Sequence, residues 1–445
     1  MGVGTAKQDG PLAGVRVADF TWVRAGPQAT RILGLLGAEV IRVEWPEHHD
    51  IIRLGSPWTV PEGVQPGFNS SADFNNFNCN KLGITLNTRA PLGLELAKRF
   101  ISICDVVIEN FRAGAMKRMG LGYEALRRVN PSLVYVSLAG FGQTGPLRDY
   151  AAYGPTMQAL SGLTFMSGLP GKPPAGWGYA YMDHIAGFYG AAGVLAALHH
   201  RNTTGQGQYV DVAQVEVGAM LMGPAILDAT VHGRSTAREG FPPGNRAHWP
   251  GSSMASAYRG PQAAPHNAYR CKGSGKNDWC VIACYAEDEW QGLVTAIGSP
   301  SWAADKRFGT MLSRLKHQEA LDALIERWTS SLDKYEVMER LQRAGIACAT
   351  VQGASDKVKH DPQLRHRGTY ASRAMHPVLG ERAFEGMPLR FRHAPWSLRK
   401  ASPTIGEDNR YVYSEVLGLS WDEMANAKSR GSFWPPNMAR QEAPA

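Results

Sequence analysis

No CxxC pair occurs among the six cysteines, at 79, 104, 271, 280, 284 and 348. That spacing excludes a zinc knuckle or a dithiol redox motif. Cys280 and Cys284 fall inside "DWCVIACY", which reads as a buried strand with small apolar fillers. Nowhere do about 18 apolar residues run uninterrupted, the length a membrane-spanning helix needs. The opening "MGVGTAKQDGPLAG" has no apolar leader core. The expectation is a soluble, cytoplasmic chain with reduced thiols and no membrane partner. There is no GxGxxG after the first strand, so a dinucleotide site has no support. A nucleophile elbow is also missing, which removes a serine hydrolase. The histidine pairs at 48–49 and 199–200 are sequence neighbours whose side chains diverge on a helix or strand, so no metal is expected.

The positive features begin with charge. Lys and Arg total 47 against 39 Asp and Glu, a net +8. The excess is spread out, without the dense basic run of a nucleic-acid-binding arm, and suits a polyanionic small molecule such as a nucleotide or CoA ester. The chain's 445 residues exceed one ordinary core. Val15 to Phe20 reads as a strand, Gln28 to Leu36 as a helix and "AEVIRVEW" as a second strand. The alternation recurs in "PLGLELAKRFISI", "CDVVIENF", "GYEALRRVN" and "PSLVYVSLAGFG". It predicts parallel strands joined by crossover helices. Residues from about 145 to 180 read as an irregular, Gly-, Pro- and Tyr-rich loop region. Residues 269–350 change character, with strands "AYRCKG" and "DWCVIACY" before helices through Trp290, Leu312, Leu321 and Tyr335. The remaining C-terminal stretch reads as strands and loops ending in a Pro-rich tail.

Asp183 heads the apolar run "MDHIAGFYGAAGVLAALHH". Read locally it is a helix N-cap, with Ile185, Phe188, Leu195 and Leu198 as the buried face. It also suits a carboxylate nucleophile that helix N–H groups keep ionised. In "ENFRAGAMKRMGLGYEAL", Asn110, Phe111, Arg112, Lys117 and Arg118 surround a strand end, where open α/β sheets bind ligands. Each also reads as an ordinary solvated turn residue. Lys81 in "NNFNCNKLGITLN" is a further phosphate or ribose candidate beside an Asn-rich turn. Arg24 in "DFTWVRAGP" stands before a helix, placed for an anion or for a plain rim. Trp177, Tyr179, Tyr181 and the stretch Asn245 to Trp249 suit an aromatic or dicarboxylic acyl group, or a core.

Taken together, these stretches resemble the class III CoA-transferases, the CaiB/BaiF family. The motifs that carry the likeness are "LAGVRVADFTWVRAGPQATRILGLLGAEVIRVEWP", "FNCNKLGITLN", "CDVVIENFRAGAMKRMGLGYEAL" and "SLAGFGQTGPLRDYAAYGPTMQALSG". The match is nearly continuous to about residue 216 and weaker through "AYRCKG" and "AGIACATV". The resemblance implies a Rossmann-like open parallel sheet in a large α/β domain, with an inserted small α/β domain and an interlocked homodimer. The bounds it suggests are 1–230 for the large domain, 231–268 for a linker, 269–350 for the small domain and 351–445 for a segment returning to the large one. It puts the nucleophile on Asp183, in "MDHIAG". The implied route is attack on an acyl-CoA, an acyl-aspartyl anhydride, an aspartyl-CoA thioester, and transfer of CoA to an acceptor carboxylate. CoA and acyl-CoA are substrates, with no tightly bound cofactor or metal. Arg24, Ala25, Lys81, Asn110, Phe111, Ala115, Arg118 and Met119 match positions that border CoA in the family. Two departures stand out. "RGPQAAPHNAYRCKG" lacks the glycine-rich loop that shields the intermediate in some members. The stretch "AAYGPTMQ" puts Tyr153 and Gly154 where related α-methylacyl-CoA racemases carry a His-Asp pair, so a racemase is the second reading. A non-catalytic subunit of a hetero-oligomeric transferase is a third.

Overall fold

A computed structural model describes residues 9–55, 60–167, 173–233 and 263–433. The first half runs β1 (Arg16–Phe20), α1 (Ala25–Leu35), β2 (Glu39–Glu44), α2 (Ala72–Phe77), β3 (Lys81–Thr85), α3 (Pro91–Ser102), β4 (Val106–Glu109), α4 (Ala115–Arg118), α5 (Tyr123–Leu126) and β5 (Val134–Ala139). Then come α6 (Gly154–Leu160), α7 (Leu163–Met166), α8 (Tyr181–Thr204), β6 (Tyr209–Ala213) and α9 (Gln214–Leu221). The expected alternation holds, with one difference. The Gly- and Pro-rich region read as loop contains α6 and α7, because "TMQAL" offers good helix formers behind a first-turn proline, Pro155.

Strands β1 to β6 form one parallel sheet in the order β3-β2-β1-β4-β5-β6. That is the doubly wound order, whose ligand crevice opens at the carboxyl ends of β1 and β4. Register brings Phe20 beside Glu109, Glu109 beside Ser137 and Ala139 beside Ala213. The loops that follow these residues therefore share one edge of the sheet.

Both faces of the sheet are covered at its centre, which is why β4 and β5 read as near-continuous apolar runs, "VVIE" and "VYVSLA". On one face Phe20, Ile41, Val107 and Tyr135 pack with α3, α5 and the returning residues Val412, Tyr413, Met424 and Phe433. On the other, Val17, Val40, Ile108 and Val136 pack with Ala29 and Leu33 of α1 and Ala191, Val194 and Leu198 of α8. The expected buried face of α8 is corrected here. Phe188 is 49% exposed and Leu195 38%, Ile185 is only half-buried, and the helix turns Ala186, Gly187, Gly190 and Ala191 inward instead. A Cβ on Gly187 would lie 2.7 Å from Gln28 Cβ and 2.8 Å from the Ala25 carbonyl oxygen. Close approach of α8 to α1 thus selects small residues over large apolar ones.

The chain divides into two compact units, one of residues 1–161, 178–221 and 365–445, the other of 162–177 and 222–364. In the second, β7 (His266–Arg270), β8 (Trp279–Ala283) and β9 (Ala347–Thr350) make an antiparallel sheet. Tyr269, Cys280, Trp290, Phe308, Leu321 and Leu341 fill its core. The linker expectation falls largely on residues 234–262, outside those described, as do Asn245 to Trp249. The returning C-terminal segment, expected to be strands and loops, also carries a helix at Trp421–Ser429, capped by Ser420. All six cysteines are free and buried. Among the described residues no helix is long and apolar enough to cross a membrane.

Candidate active site

The crevice is built from the β1–α1 loop upward. Val23 has a positive φ of 63°, an expensive conformation for a β-branched residue, so something must hold it. Its N–H donates to both carboxylate oxygens of Asp50, at 3.1 and 3.0 Å. Asn110, at the end of β4, accepts from the Trp22 N–H (2.7 Å) and donates to the Trp22 carbonyl (2.8 Å). Arg42 donates to the Thr21 carbonyl at 2.8 Å. Phe111 meets Trp22 edge-on, with ring centroids 5.4 Å apart. The loop carrying Arg24 is thus tied down residue by residue.

Beneath it lies a buried ionic cluster. Arg42 pairs with Asp50 at 2.7 Å and Glu44 at 3.3 Å, Arg53 with Glu44 at 2.7 Å, and Lys81 with Asp19 at 3.1 Å. Three cations meet three carboxylates, so charge balances, the condition for burying ions without a large net penalty. The Arg53 guanidinium also lies 3.5 Å over the Phe74 ring. The two arginines hold the Glu44 carboxyl down, at about 2, against the burial that opposes ionisation.

Asp183 contrasts with this cluster. The N-cap of α8 is Ala180, and Asp183 is the third helical residue, so the capping expectation is corrected. Its Oδ1 accepts from Gln214 Nε2 at 3.1 Å, and its Oδ2 lies where Gly154 has no side chain. A Cβ on Gly154 would stand 2.3 Å from that oxygen. Burial pushes the Asp183 carboxyl above its usual value, outweighing the Gln214 hydrogen bond and the positive fields of Arg24 and His184. Desolvation thus outweighs the groups that favour the ionised form, the opposite direction from the one expected of a helix start. His184, next along, lies beside the rings of Phe77 and Tyr179, at 5.5 and 6.1 Å. A half-buried carboxylate with one neutral donor and, among the described residues, no direct ion pair marks a candidate reacting group.

The other expected residues divide. Arg24 caps the start of α1, with its guanidinium on Asp73. Ala25, buried, is the first residue of α1, and Ala115 opens α4 behind Gly114. Met119 is half-buried against the α3 face. Arg118 is exposed and lines a cleft of about 780 Å³ together with Lys117, Arg128, Arg148, Glu109 and Tyr209. Lys81 is corrected. It is 0% exposed, and its ammonium is spent on Asp19, Asn78 Oδ1 (2.8 Å) and the Pro27 carbonyl (3.2 Å), leaving none of its three donors for a phosphate. Trp177 and Tyr179 are exposed and Tyr181 is half-buried. Among the described residues no group of three His, Cys, Asp or Glu side chains could hold a metal.

Gln214 borders Asp183 without having been singled out in the sequence, and Gly154, noted there only as a departure from the racemase pattern, is the residue packed against Oδ2. Gln214 follows the last residue of β6 and opens α9, and that turn brings its amide to Asp183. Glu109 was passed over as well. Its carboxyl is buried among the Ser137 hydroxyl (2.5 Å), the Phe111 N–H (2.8 Å) and Gln143 Nε2 (3.4 Å). With no cation beside it, burial raises it to about 7.

A doubly wound parallel sheet with a desolvated carboxylate beside its carboxyl edge defines an α/β protein of the open-sheet class. Residues 12–409 match the family model described as CoA-transferase family III, and the chain belongs to that family. It is 35% identical over 425 residues to a formyl-CoA:oxalate CoA-transferase of Streptomyces coelicolor, covering 94% of this chain and 98% of that one. It is 32% identical to a succinyl-CoA–D-citramalate CoA-transferase of Chloroflexus aurantiacus, over 94% and 97%. A crystal structure of a CaiB/BaiF family protein from Brucella suis superposes with a TM-score of 0.79 at 30% identity, covering 92% of this chain and 100% of that one. The chain is thus a CoA-transferase of family III.

Proposed function

We propose that the protein moves CoA from an acyl-CoA donor to a carboxylic acid through an aspartyl-CoA thioester on Asp183. The observation that carries this reading is the Asp183 carboxylate itself, at the sheet's carboxyl edge, with Oδ2 packed against Gly154, whose missing side chain makes room for it, and Oδ1 held by Gln214. Oδ2 attacks the thioester carbonyl, the C–S bond breaks, and CoA thiolate leaves an acyl-aspartyl anhydride. The thiolate adds to the aspartyl carbonyl carbon and expels the donor carboxylate. The acceptor carboxylate then attacks the aspartyl-CoA carbonyl and expels the thiolate, giving an aspartyl–acceptor anhydride. The thiolate attacks the acceptor's carbonyl carbon, the bond to Oδ2 breaks, and the acceptor leaves as its CoA ester with the Asp183 carboxylate restored.

Arg24, Ala25, Asn110, Phe111, Ala115, Arg118 and Met119 border CoA in this reading, with Lys81 acting from beneath through Asp19. The basic rim of Lys117, Arg118, Arg128 and Arg148 supports a polyanionic ligand. Formyl-, oxalyl- and succinyl-CoA against oxalate, citramalate and succinate form the first panel of substrates. A racemase needs a proton-transfer group on each face of the α-carbon, and Gly154 supplies none opposite Asp183. The protein acts as a homodimer, interlocked as in the family, a reading supported by the exposed Phe188, Tyr189 and Leu195 on α8. Light scattering on the purified protein tests it: a monomer contradicts it.

Exchange of labelled CoA between an acyl-CoA and its free acid tests the chemistry. Wild type exchanges and Asp183→Ala does not; an Asp183→Ala variant as fast as wild type overturns the reading.

A further inference from the structure

Two buried amides lie on the elements that border the Asp183 carboxylate, one in contact with it and one on the helix that begins at Gly154. Gln214 is 4% exposed and places Nε2 3.1 Å from Asp183 Oδ1. Gln158 is 2% exposed, and its Nε2 has no hydrogen-bond partner among the described residues. It sits one turn along α6 from Gly154, on the same helix face. Gly154 is the residue whose missing side chain makes room for Asp183 Oδ2. A buried donor left unpaired is costly and marks a place where a ligand atom belongs.

We propose that the Gln214 amide, with Gln158 as second donor, forms the oxyanion site for the reactions at the Asp183 carbonyl carbon. The inference rests on the aspartyl-CoA reading above. In the resting enzyme the negative charge is spread over Oδ1 and Oδ2. Once Oδ2 has been acylated, Oδ1 is the carbonyl oxygen of the anhydride. Thiolate addition forms the C–S bond and moves the C=O electron pair onto Oδ1. The full charge then sits on the atom that Gln214 Nε2 already faces. Collapse of that intermediate restores the carbonyl and breaks the C–Oδ2 bond, releasing the donor acid. The acceptor carboxylate passes through the same oxyanion when it attacks aspartyl-CoA, with thiolate leaving. The first step behaves differently, since there charge departs from Asp183 and the developing oxyanion is on the substrate. A donor aimed at Oδ1 therefore favours the second and third steps over the first, which is differential binding of the transition state.

The test uses full-length Gln214→Leu and Gln158→Leu, with circular dichroism and thermal melting as folding controls. Removing one oxyanion donor lowers kcat by roughly 10²- to 10³-fold. For Gln214→Leu, kcat for CoA exchange falls by about that factor, KM for acyl-CoA stays within about threefold, and the acid limb of the pH profile moves to higher pH. That movement follows because a bond favouring ionised Asp183 is gone. Gln158→Leu removes a buried unpaired amide, so it melts at or above the wild-type temperature while kcat falls at least about tenfold. A purely structural amide has no reason to separate stability from rate in that way. If both variants fold and their kcat values stay within about threefold of wild type, the oxyanion assignment is overturned while aspartyl-CoA chemistry stands. If wild type itself carries no acyl group on Asp183 during turnover, both fall together.

Discussion

Two groups of ionisable side chains, both reached through the β1–α1 loop, show how the chain treats buried charge. Behind the loop, Asp19, Glu44 and Asp50 each face a cation, and Arg42, Arg53 and Lys81 each face a carboxylate. In front of it, Asp183 has a single neutral donor, with its second oxygen against a glycine. Pairing holds Asp19 and Glu44 below their ordinary values against the burial that opposes ionisation, while Asp50, paired with Arg42, is still raised by burial. Asp183, with no ion pair among the described residues, is raised by burial, and in the proposed reading it is the carboxylate that forms the covalent bond. The difference teaches that burial alone marks neither a structural nor a reactive group. What distinguishes them is whether the partner satisfies the charge or only orients it.

Breaking the front side has the largest effect on rate. Asp183→Ala lowers CoA exchange by about 10³-fold or more and leaves the melting temperature unchanged or higher, since a desolvated carboxylate is removed. Steady-state exchange and calorimetry together check it. Breaking the back side reads in stability instead. Arg42→Met strands Asp50 and half of Glu44 in the interior, and denaturant unfolding should show a loss of about 3–5 kcal/mol. If Arg42→Met were as stable as wild type, the cluster would not be the support assigned to it.

Smaller changes sharpen the contrast. Gly154→Ala introduces a methyl 2.3 Å from Asp183 Oδ2, so either the carboxylate or α6 must shift. Misplacing a reacting group by about 1 Å costs about 10²-fold, and kcat should fall by roughly 10- to 100-fold. An alanine here with full activity places the nucleophilic oxygen elsewhere. Glu109 belongs with neither set, being buried and held only by neutral donors, and its effect is confined to the pH dependence of stability. Its folded value of about 7 lies above its ordinary 4.5. The folded state therefore binds the proton more tightly, and stability present below about pH 4.5 is lost as pH rises towards 7. The size is of order 3 kcal/mol for a shift of that extent. Glu109→Gln should flatten this decline in unfolding curves taken between pH 5 and 7.5.

Much of the fold was legible because parallel strands covered on both faces announce themselves as Val/Ile runs, as in "VVIE" and "VYVSLA". Asp183 was legible through the motifs around it, and its local pattern pointed to a cap that Ala180 occupies instead. The inward face of α8 was misread because hydrophobicity normally predicts burial, whereas close helix contact selects Gly187 and Gly190 and sends Phe188 outward. Lys81 could not be read as buried from "NCNKLG", since what buries it stands far off in sequence, at Asp19 and Pro27. Gln214 was hidden for the same reason: its meaning lies in a contact with a residue 31 positions away.

The central claim is that Asp183 becomes covalently acylated in turnover. The direct measurement is peptide mass spectrometry of enzyme incubated with an acyl-CoA and quenched with hydroxylamine. The account predicts a hydroxamate on the peptide containing Asp183, absent without acyl-CoA and absent from Asp183→Asn. Turnover with an unmodified Asp183 peptide, or a hydroxamate on a different carboxylate, would contradict it.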